Sequence, residues 1–420
     1  MSRVQVRAVA LTVLLSALDG YDVLSVTFAA PAITEAWNIG KAALGAVLSS
    51  GLAGMALGSL ALAPAADLVG RKGVVLASLA LMALGMLLSG LADGIGELAA
   101  WRFVTGLGIG ACIAVINPLA AEFSNARRRP LAVALMALGF PVGGLIGGVL
   151  AASLLAAFGW PAVFFAGALG SAFLLPLVAF ILPESPAFLA SRRRPDSLAR
   201  LNTLLVRCGH QQVAELPTRQ EGKRGYAGVF AHGQVATTAR LATVNILQAA
   251  ASYFVLSWLP QMIGDAGFDP SRASLAAALA SLAGIGGGVA LGAAAPRFGL
   301  VRLTVGAIIG MALSTVALGL AAPSLPLLMA VAALCGLCLY SAAAGFYAVL
   351  ASAFDDRARA SGAGFVIGVG RVSSAVAPML AGWLFAAGLA RLEVCIVFAA
   401  CSAAAAAILV TYPSREKAHA

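Results

Sequence analysis

The sequence predicts an all-α membrane protein, with twelve transmembrane helices in two six-helix, pseudo-symmetric halves. Three observations predict it. Of the 420 residues, 61% are hydrophobic and only 10% charged, whereas a soluble domain carries about 25% charged residues. Apolar runs near the roughly 20 residues needed to cross a bilayer recur twelve times. One long polar segment, 183–240, parts them six and six, leaving halves at 1–182 and 241–420. The 47 glycines suit close packing of helices in lipid, where small faces let backbones approach.

The first run, 8–33, follows Arg3 and Arg7. Its opening resembles a secretory leader, but its apolar character resumes after a pair of aspartates and many more runs follow. It therefore reads as a first transmembrane helix rather than a cleaved leader. Runs 42–65, 74–92, 98–122, 131–156 and 161–182 complete the first half. The second half holds 241–264, 273–295, 303–322, 326–352, 360–387 and 392–412. FGWP joins spans five and six, and APSLP joins spans nine and ten; links this short force antiparallel hairpins. The central segment begins PESPAFLASRRRPDSLARL and is expected to contain a short amphipathic helix.

Net charge is +10, and its placement matters more than its size. Arg3, Arg7, Arg71, Lys72, Arg127, Arg128, Arg129, the basic residues of the central loop, Arg297, Arg302, Arg357, Arg359, Arg415 and Lys417 all fall on one side. The opposite loops offer Lys41, Arg272 and Arg391. The positive-inside rule then puts both termini and the central loop in the cytoplasm, with the chain in the plasma (inner) membrane. Charge that sets topology leaves nucleic-acid binding a poor explanation. His210, His232 and His419 lie on the cytoplasmic side, so no histidine relay crosses the membrane.

Of the six cysteines, Cys112, Cys335, Cys338, Cys395 and Cys401 sit in apolar runs and Cys208 in the central loop. Cys335 and Cys338 form C-x-x-C within LMAVAALCGLCLYSAAAG. With no histidine or second pair nearby, they read as small apolar residues. No phosphate-binding G-x-x-x-x-G-K-[ST], metal cluster or nucleophile–base pair is visible. No cofactor or metal is expected, and neither enzymology nor nucleotide-driven pumping.

Ionisable residues inside spans are costly and mark function by default. SALDGYDVLS carries Asp19 and Asp22 at i and i+3, on one helix face. Two carboxylates this close in low dielectric resist double ionisation, so one of them can load and release a proton. The other reading is a structural pair locked to a cation. Arg102 lies early in span four, before Gly106, Gly108 and Gly110, whose bare faces would hold it in the interior as partner to a span-one carboxylate. Alternatively it snorkels to the outer interface. Arg371, a third to halfway through span eleven, has the planar donor fork that suits an organic carboxylate; an internal salt bridge is the other reading. Phe140, Tyr253, Phe254, Trp258, Tyr340, Phe346, Tyr347 and Phe365 lie near mid-span, where they form either packing or an aromatic wall. Candidate substrate contacts are Arg371, Asp22, Tyr253, Trp258 and Tyr340. Glu122 closes span four on the cytoplasmic side.

Several stretches resemble a known family. AADLVGRKGV, residues 65–74, resembles the loop signature G-x-x-x-D-R-x-G-R-[RK] of the major facilitator superfamily. Asp67, Gly70, Arg71 and Lys72 match, while Ala63 and Leu68 depart from the usual Gly and Arg. R-x-x-x-G-x-G-x-G from Arg102 is similar to the superfamily's fourth-helix motif, and PESP (183–186) to the signature closing the sixth. The loop AAAPRFGLVRLT holds a weaker second copy, with Pro296 in place of Asp and Arg297, Gly299 and Arg302 retained. DGYD, SYFVLSWLP and RASGAGFVIGVGR further resemble the aromatic acid:proton symporter family. That resemblance implies uptake of an aromatic carboxylate with protons, with Asp19 and Asp22 as the coupling carboxylates; Arg102, their candidate partner, is counted with them in proton coupling. The superfamily loop signature implies a cytoplasmic gate at Asp67, Gly70, Arg71 and Lys72, to which Glu122 is added as a gating candidate from its place at the cytoplasmic end of span four. Expected partners are a small aromatic acid, protons and the lipid bilayer, and nothing demands more than a monomer. The alternative is a proton-driven drug, sugar or other organic-acid carrier. GFPVGG (139–144) separates the Gly139–Pro141 pair that drug antiporters keep adjacent, which counts against efflux.

Overall fold

The computed structural model describes residues 1–191, 196–216, 235–354 and 359–412. Arg357, Arg415, Lys417, His232 and His419 lie outside them. Among the described residues, twelve helices are long and apolar enough to cross a membrane. In chain order the helices are α1 (Arg3–Trp37), α2 (Lys41–Ala61), the short α3 (Ala66–Val69), α4 (Arg71–Gly90), α5 (Ile95–Glu122), α6 (Arg129–Phe158) and α7 (Pro161–Ile181). After two short helices, α8 (Pro186–Ser191) and α9 (Ser197–Arg207), come α10 (Val235–Asp265), α11 (Pro270–Phe298), α12 (Leu300–Leu320), α13 (Leu325–Ala353), α14 (Arg359–Ala386) and α15 (Arg391–Val410).

The helices outrun the apolar runs because their ends continue into polar sequence. Span seven begins at Val235, where hydropathy alone starts it at 241. Its first turns hold Thr237, Thr238 and Arg240, and the Arg240 guanidinium donates to Thr411 O at 3.3 Å, satisfying a carbonyl at the C-terminal end of α15. The amphipathic helix expected in the central segment is α9, whose Leu201 and Leu204 are buried. Proline sits inside α1, α5, α6, α7, α10, α11 and α14, as transmembrane helices tolerate when neighbours re-satisfy the freed carbonyls.

The chain separates into two compact units that do not follow chain order. Unit 1 holds residues 1–23, 54–143 and 161–223; unit 2 holds 24–53, 144–160 and 224–420. In unit 1, α4 packs on α5 and α7, and α6 lies against the start of α1. A side chain at Gly143 would run into the Ala17 backbone, so the contact requires glycine. In unit 2, α11 packs on α13, α10 on α14 and α15, and α12 on α13 and α15. There Gly336 lies on the Ala280 backbone. The polar groups of unit 2 bond across helices: Asn245 Nδ2 donates to Val366 O at 2.8 Å, Ser373 Oγ to Ile246 O at 2.7 Å and Ser402 Oγ to Gln248 Oε1 at 3.0 Å.

Candidate functional site

Unit 1 holds a buried ionic centre. Asp19 and Asp22 are fully buried and Arg102 is 1% exposed. The snorkelling alternative for Arg102 is therefore excluded. Its three following glycines place it as the sequence suggests: Gly106 faces Gly54 of α2, Gly108 faces Ser78 of α4 and Gly110 faces Met55 of α2. The guanidinium donates through Nη2 to the Asp22 backbone carbonyl at 2.6 Å and through Nη1 to Met86 Sδ at 2.9 Å. It also stands 5.7 Å from the centre of the Phe164 ring, within cation–π range. Asp22 and Arg102 lie in each other's field. Beside them, Tyr21 Oη donates to Val163 O at 2.6 Å and fastens α1 to α7. Gly167 of α7 leaves room for the Asp22 carboxylate: a Cβ there would stand 2.7 Å from Oδ1. Met86, Phe164 and Val163 carry no sequence signal for this role, since each is an ordinary apolar residue until the helices meet.

A second polar cluster gathers Gly70, Arg71, Lys72 and Glu122 of the residues assigned to gating. Arg71 pairs with Glu122, and Ser185 Oγ donates to the other Glu122 oxygen at 2.6 Å. Glu184 Oε1 accepts from the backbone N–H groups of Arg71 at 3.0 Å, Lys72 at 3.2 Å and Ser185 at 2.8 Å. It thus caps the N-terminus of α4, where the helix dipole favours an anion. Lys72 Nζ donates to Ala179 O at 2.6 Å, near the C-terminus of α7. Gly70 has φ +96°, a conformation suited to glycine. Its counterpart in the second copy of the loop, Gly299, has φ +84°, so the turn persists where the motif's Asp is replaced by Pro296. Asp67 is exposed on α3. The sequence assigns no role to Glu184 or Ser185; PESP is the signal that could have found them.

Unit 2 holds Arg371 on α14 with Tyr253, Tyr340 and Tyr347. Tyr253 lies in the field of Arg371 and Tyr347, and Tyr340 in that of Tyr253. Tyr347 is 52% exposed, whereas Tyr253, Tyr340 and Arg371 are part-buried. Arg371 Nη1 and Tyr340 Oη are shielded from solvent and bond to no group among the described residues. Trp258 does not join them. It is 1% exposed, its indole N–H donates to Pro378 O at 3.1 Å, and its ring lies 4.9 Å from Phe385. Phe254 is likewise packing, stacked on Phe398 at 4.2 Å. Among the described residues, no group of His, Cys, Asp and Glu could hold a metal ion.

Comparison with known proteins bears on what such centres serve. Residues 11–238 and 241–420 match the family profile described as Major Facilitator Superfamily. A protein of Pseudomonas aeruginosa described as 4-hydroxybenzoate transporter PcaK is 32% identical over 400 residues, covering 91% of this chain and 86% of that one. A gallate transporter of Pseudomonas putida is 32% identical over 376 residues, covering 88% and 83%. A benzoate transport protein of Acinetobacter baylyi is 25% identical over 388 residues, covering 90% and 83%. Among solved structures, a D-xylose-proton symporter aligns with a TM-score of 0.75 at 16% identity, covering 97% of this chain and 98% of that one. That likeness is one of fold alone.

Proposed function

The chain belongs to the major facilitator superfamily, and on that premise we propose that it imports an aromatic carboxylate of the benzoate or hydroxybenzoate type together with protons, by alternating access. It is a transporter of the superfamily and not an enzyme. The six-plus-six halves, 1–182 and 241–420, are the bodies that would alternate. The loop charges favour cytoplasmic termini in a plasma (inner) membrane protein, and one chain suffices for the cycle.

The observation that carries the reading is the buried centre of Asp19, Asp22 and Arg102. Carboxylates without access to water are poor permanent anions, and Arg102 on the Asp22 carbonyl holds a compensating charge at fixed distance. Protonating such a carboxylate changes the net charge of the centre by one, which makes it a switch between states of the carrier. An anion entering against a negative interior needs more than one proton per cycle for charge to move favourably, and two carboxylates can supply it. Arg371 is the proposed seat of the substrate carboxylate, with Tyr253 and Tyr340 around it. The 4-hydroxybenzoate, gallate and benzoate carriers among the relatives support the substrate class.

The test is uptake into proteoliposomes with and without an imposed inward proton gradient, using benzoate, 4-hydroxybenzoate, protocatechuate, vanillate, a hexose and a cationic dye. Gradient-stimulated accumulation of an aromatic acid is expected, and its loss in Asp19→Asn and in Asp22→Asn with both variants still in the membrane. Movement of the dye alone would overturn the substrate class, and full gradient-driven uptake by both variants would overturn the coupling role.

A further inference from the structure

Arg371 sits on a stretch of α14 that is bonded to α10 on both sides of it. Before it, Asn245 Nδ2 of α10 donates to Val366 O at 2.8 Å. After it, Ser373 Oγ donates back to Ile246 O at 2.7 Å, and Trp258 Nε1 of α10 donates to Pro378 O at 3.1 Å. The first of these bonds depends on the residue next to Arg371. Asn245 is buried, and its amide lies over Gly370: a Cβ on Gly370 would run into Nδ2 and stand 2.7 Å from Cγ. Only a residue without a side chain admits the amide there. Val366 O is the carbonyl that the Gly370 N–H reaches in an α-helix, and its second lone pair takes the Asn245 N–H. The turn that ends at Gly370 is thus held from α10 immediately before Arg371. Such a bond also fixes the register of the two helices, because sliding one past the other would strand polar groups where no water can satisfy them. Tyr253 lies on α10 between Ile246 and Trp258, so Arg371 and Tyr253 both project from the bracketed lengths.

We propose that Asn245 is a positioning residue of the substrate site: it holds the turn of α14 from which Arg371 reaches the substrate carboxylate, and Gly370 is the gap that lets it do so. The inference rests on the reading of Arg371 as the carboxylate seat and adds to it a residue that touches no substrate. A two-pronged guanidinium–carboxylate contact is demanding of geometry, so the bonds that fix its supporting turn decide how well it is made.

The experiment measures initial rates of gradient-driven uptake into proteoliposomes of the full-length protein, with whichever of benzoate and 4-hydroxybenzoate the wild type accumulates. Asn245→Leu keeps the volume of the side chain and removes the donor. It should raise KM about three- to tenfold and leave the maximal rate unchanged. Gly370→Ala keeps Asn245 but pushes its amide off Val366 O, and should raise KM alike; if either variant fails to reach the membrane, the other carries the comparison. Asn245→Ala should raise KM as well, and adding Gly370→Ala to it should raise KM no further, because the space over residue 370 is then vacant. A lower maximal rate or thermal midpoint with KM unchanged makes Asn245 a structural residue only and overturns the proposal. Effects of Asn245→Ala and Gly370→Ala that multiply in the pair overturn it too. An unchanged KM in Arg371→Gln overturns the carboxylate seat and this inference with it, and a wild type that accumulates neither acid overturns the aromatic-carboxylate reading itself.

Discussion

At the scale of single residues, Arg102 holds the ionic centre of unit 1 together. It joins α5 to the α1 backbone through Asp22 O and to α4 through Met86 Sδ, and its positive charge offsets a carboxylate with no access to water. Removing one partner of a buried pair leaves the other uncompensated and costs about 3–5 kcal/mol, whereas removing both charges together costs much less. Arg102→Ala should therefore lower the thermal midpoint of the detergent-purified protein sharply. Adding Asp22→Asn to Arg102→Ala should restore much of that midpoint and none of the gradient-driven uptake. Equal midpoints for the single and double variants would mean that the two charges do not interact. The three charged members of this centre are legible in the sequence, because a charge in an apolar run stands out against it. Tyr21, Met86 and Phe164 are not, because their roles come from contacts between segments far apart in the chain.

At the scale of elements, the turn from α3 into α4 depends on two residues of different legibility. Gly70 belongs to a recognisable loop signature and carries the positive φ that the turn needs. Glu184, 113 residues from the Arg71 amide it accepts from, lies in a tetrapeptide that marks only the close of a helix. Its carboxylate supplies acceptors for three backbone N–H groups, two of them at the start of α4. Gly70→Ala forces an L side chain to φ +96° and ψ +157°, a region essentially reserved for glycine, at about 1–3 kcal/mol, and its Cβ would meet Glu184 and stand 3.2 Å from Phe188 Cε1. Glu184→Ala removes the cap, a loss of about 0.5–2 kcal/mol, and should free α4 to fray. Both variants should show faster amide exchange in the first turn of α4 with the rest of unit 1 unchanged. Glu184→Gln, which keeps one acceptor oxygen, should fall between Glu184→Ala and wild type. Helix positions themselves were readable from hydropathy, and the misplaced ends have a common cause. Hydropathy stops at the first polar turn, while backbone hydrogen bonding continues through residues such as Thr238 and Arg240.

At the scale of the whole molecule, the superfamily was legible because short loop signatures survive in order along the chain. The packing of sequence-distant ends was not, because nothing local encodes it. Unit 2 contains an example at the ends of α1, α2 and α10, on the side opposite the start of α1. Lys41 at the start of α2 pairs with Asp265 at the end of α10, 224 residues away. Gln261 Nε2 donates to the same carboxylate at 2.8 Å, and Thr34 Oγ1 of α1 donates to Gln261 Oε1 at 3.3 Å. Four residues further along α2, Gly45 meets α14 backbone to backbone: a Cβ on Gly45 would stand 2.8 Å from Pro378 O and 3.0 Å from Gly382 Cα. The ion pair is part-exposed, so it contributes little stability by itself; the glycine contact sets how closely the helices close. A carrier that works by alternating access must make and break such contacts once per cycle. Gly45→Trp should therefore fold and retain substrate binding but lose both net uptake and exchange, because this end can no longer close. A cysteine placed at Thr34 in that variant should react with a membrane-impermeant maleimide faster than the same cysteine in the wild-type background. Lys41→Ala should give a milder change in the same direction, with exchange retained. Normal exchange in Gly45→Trp would mean that α2 and α14 stay together throughout transport and that opening takes place elsewhere.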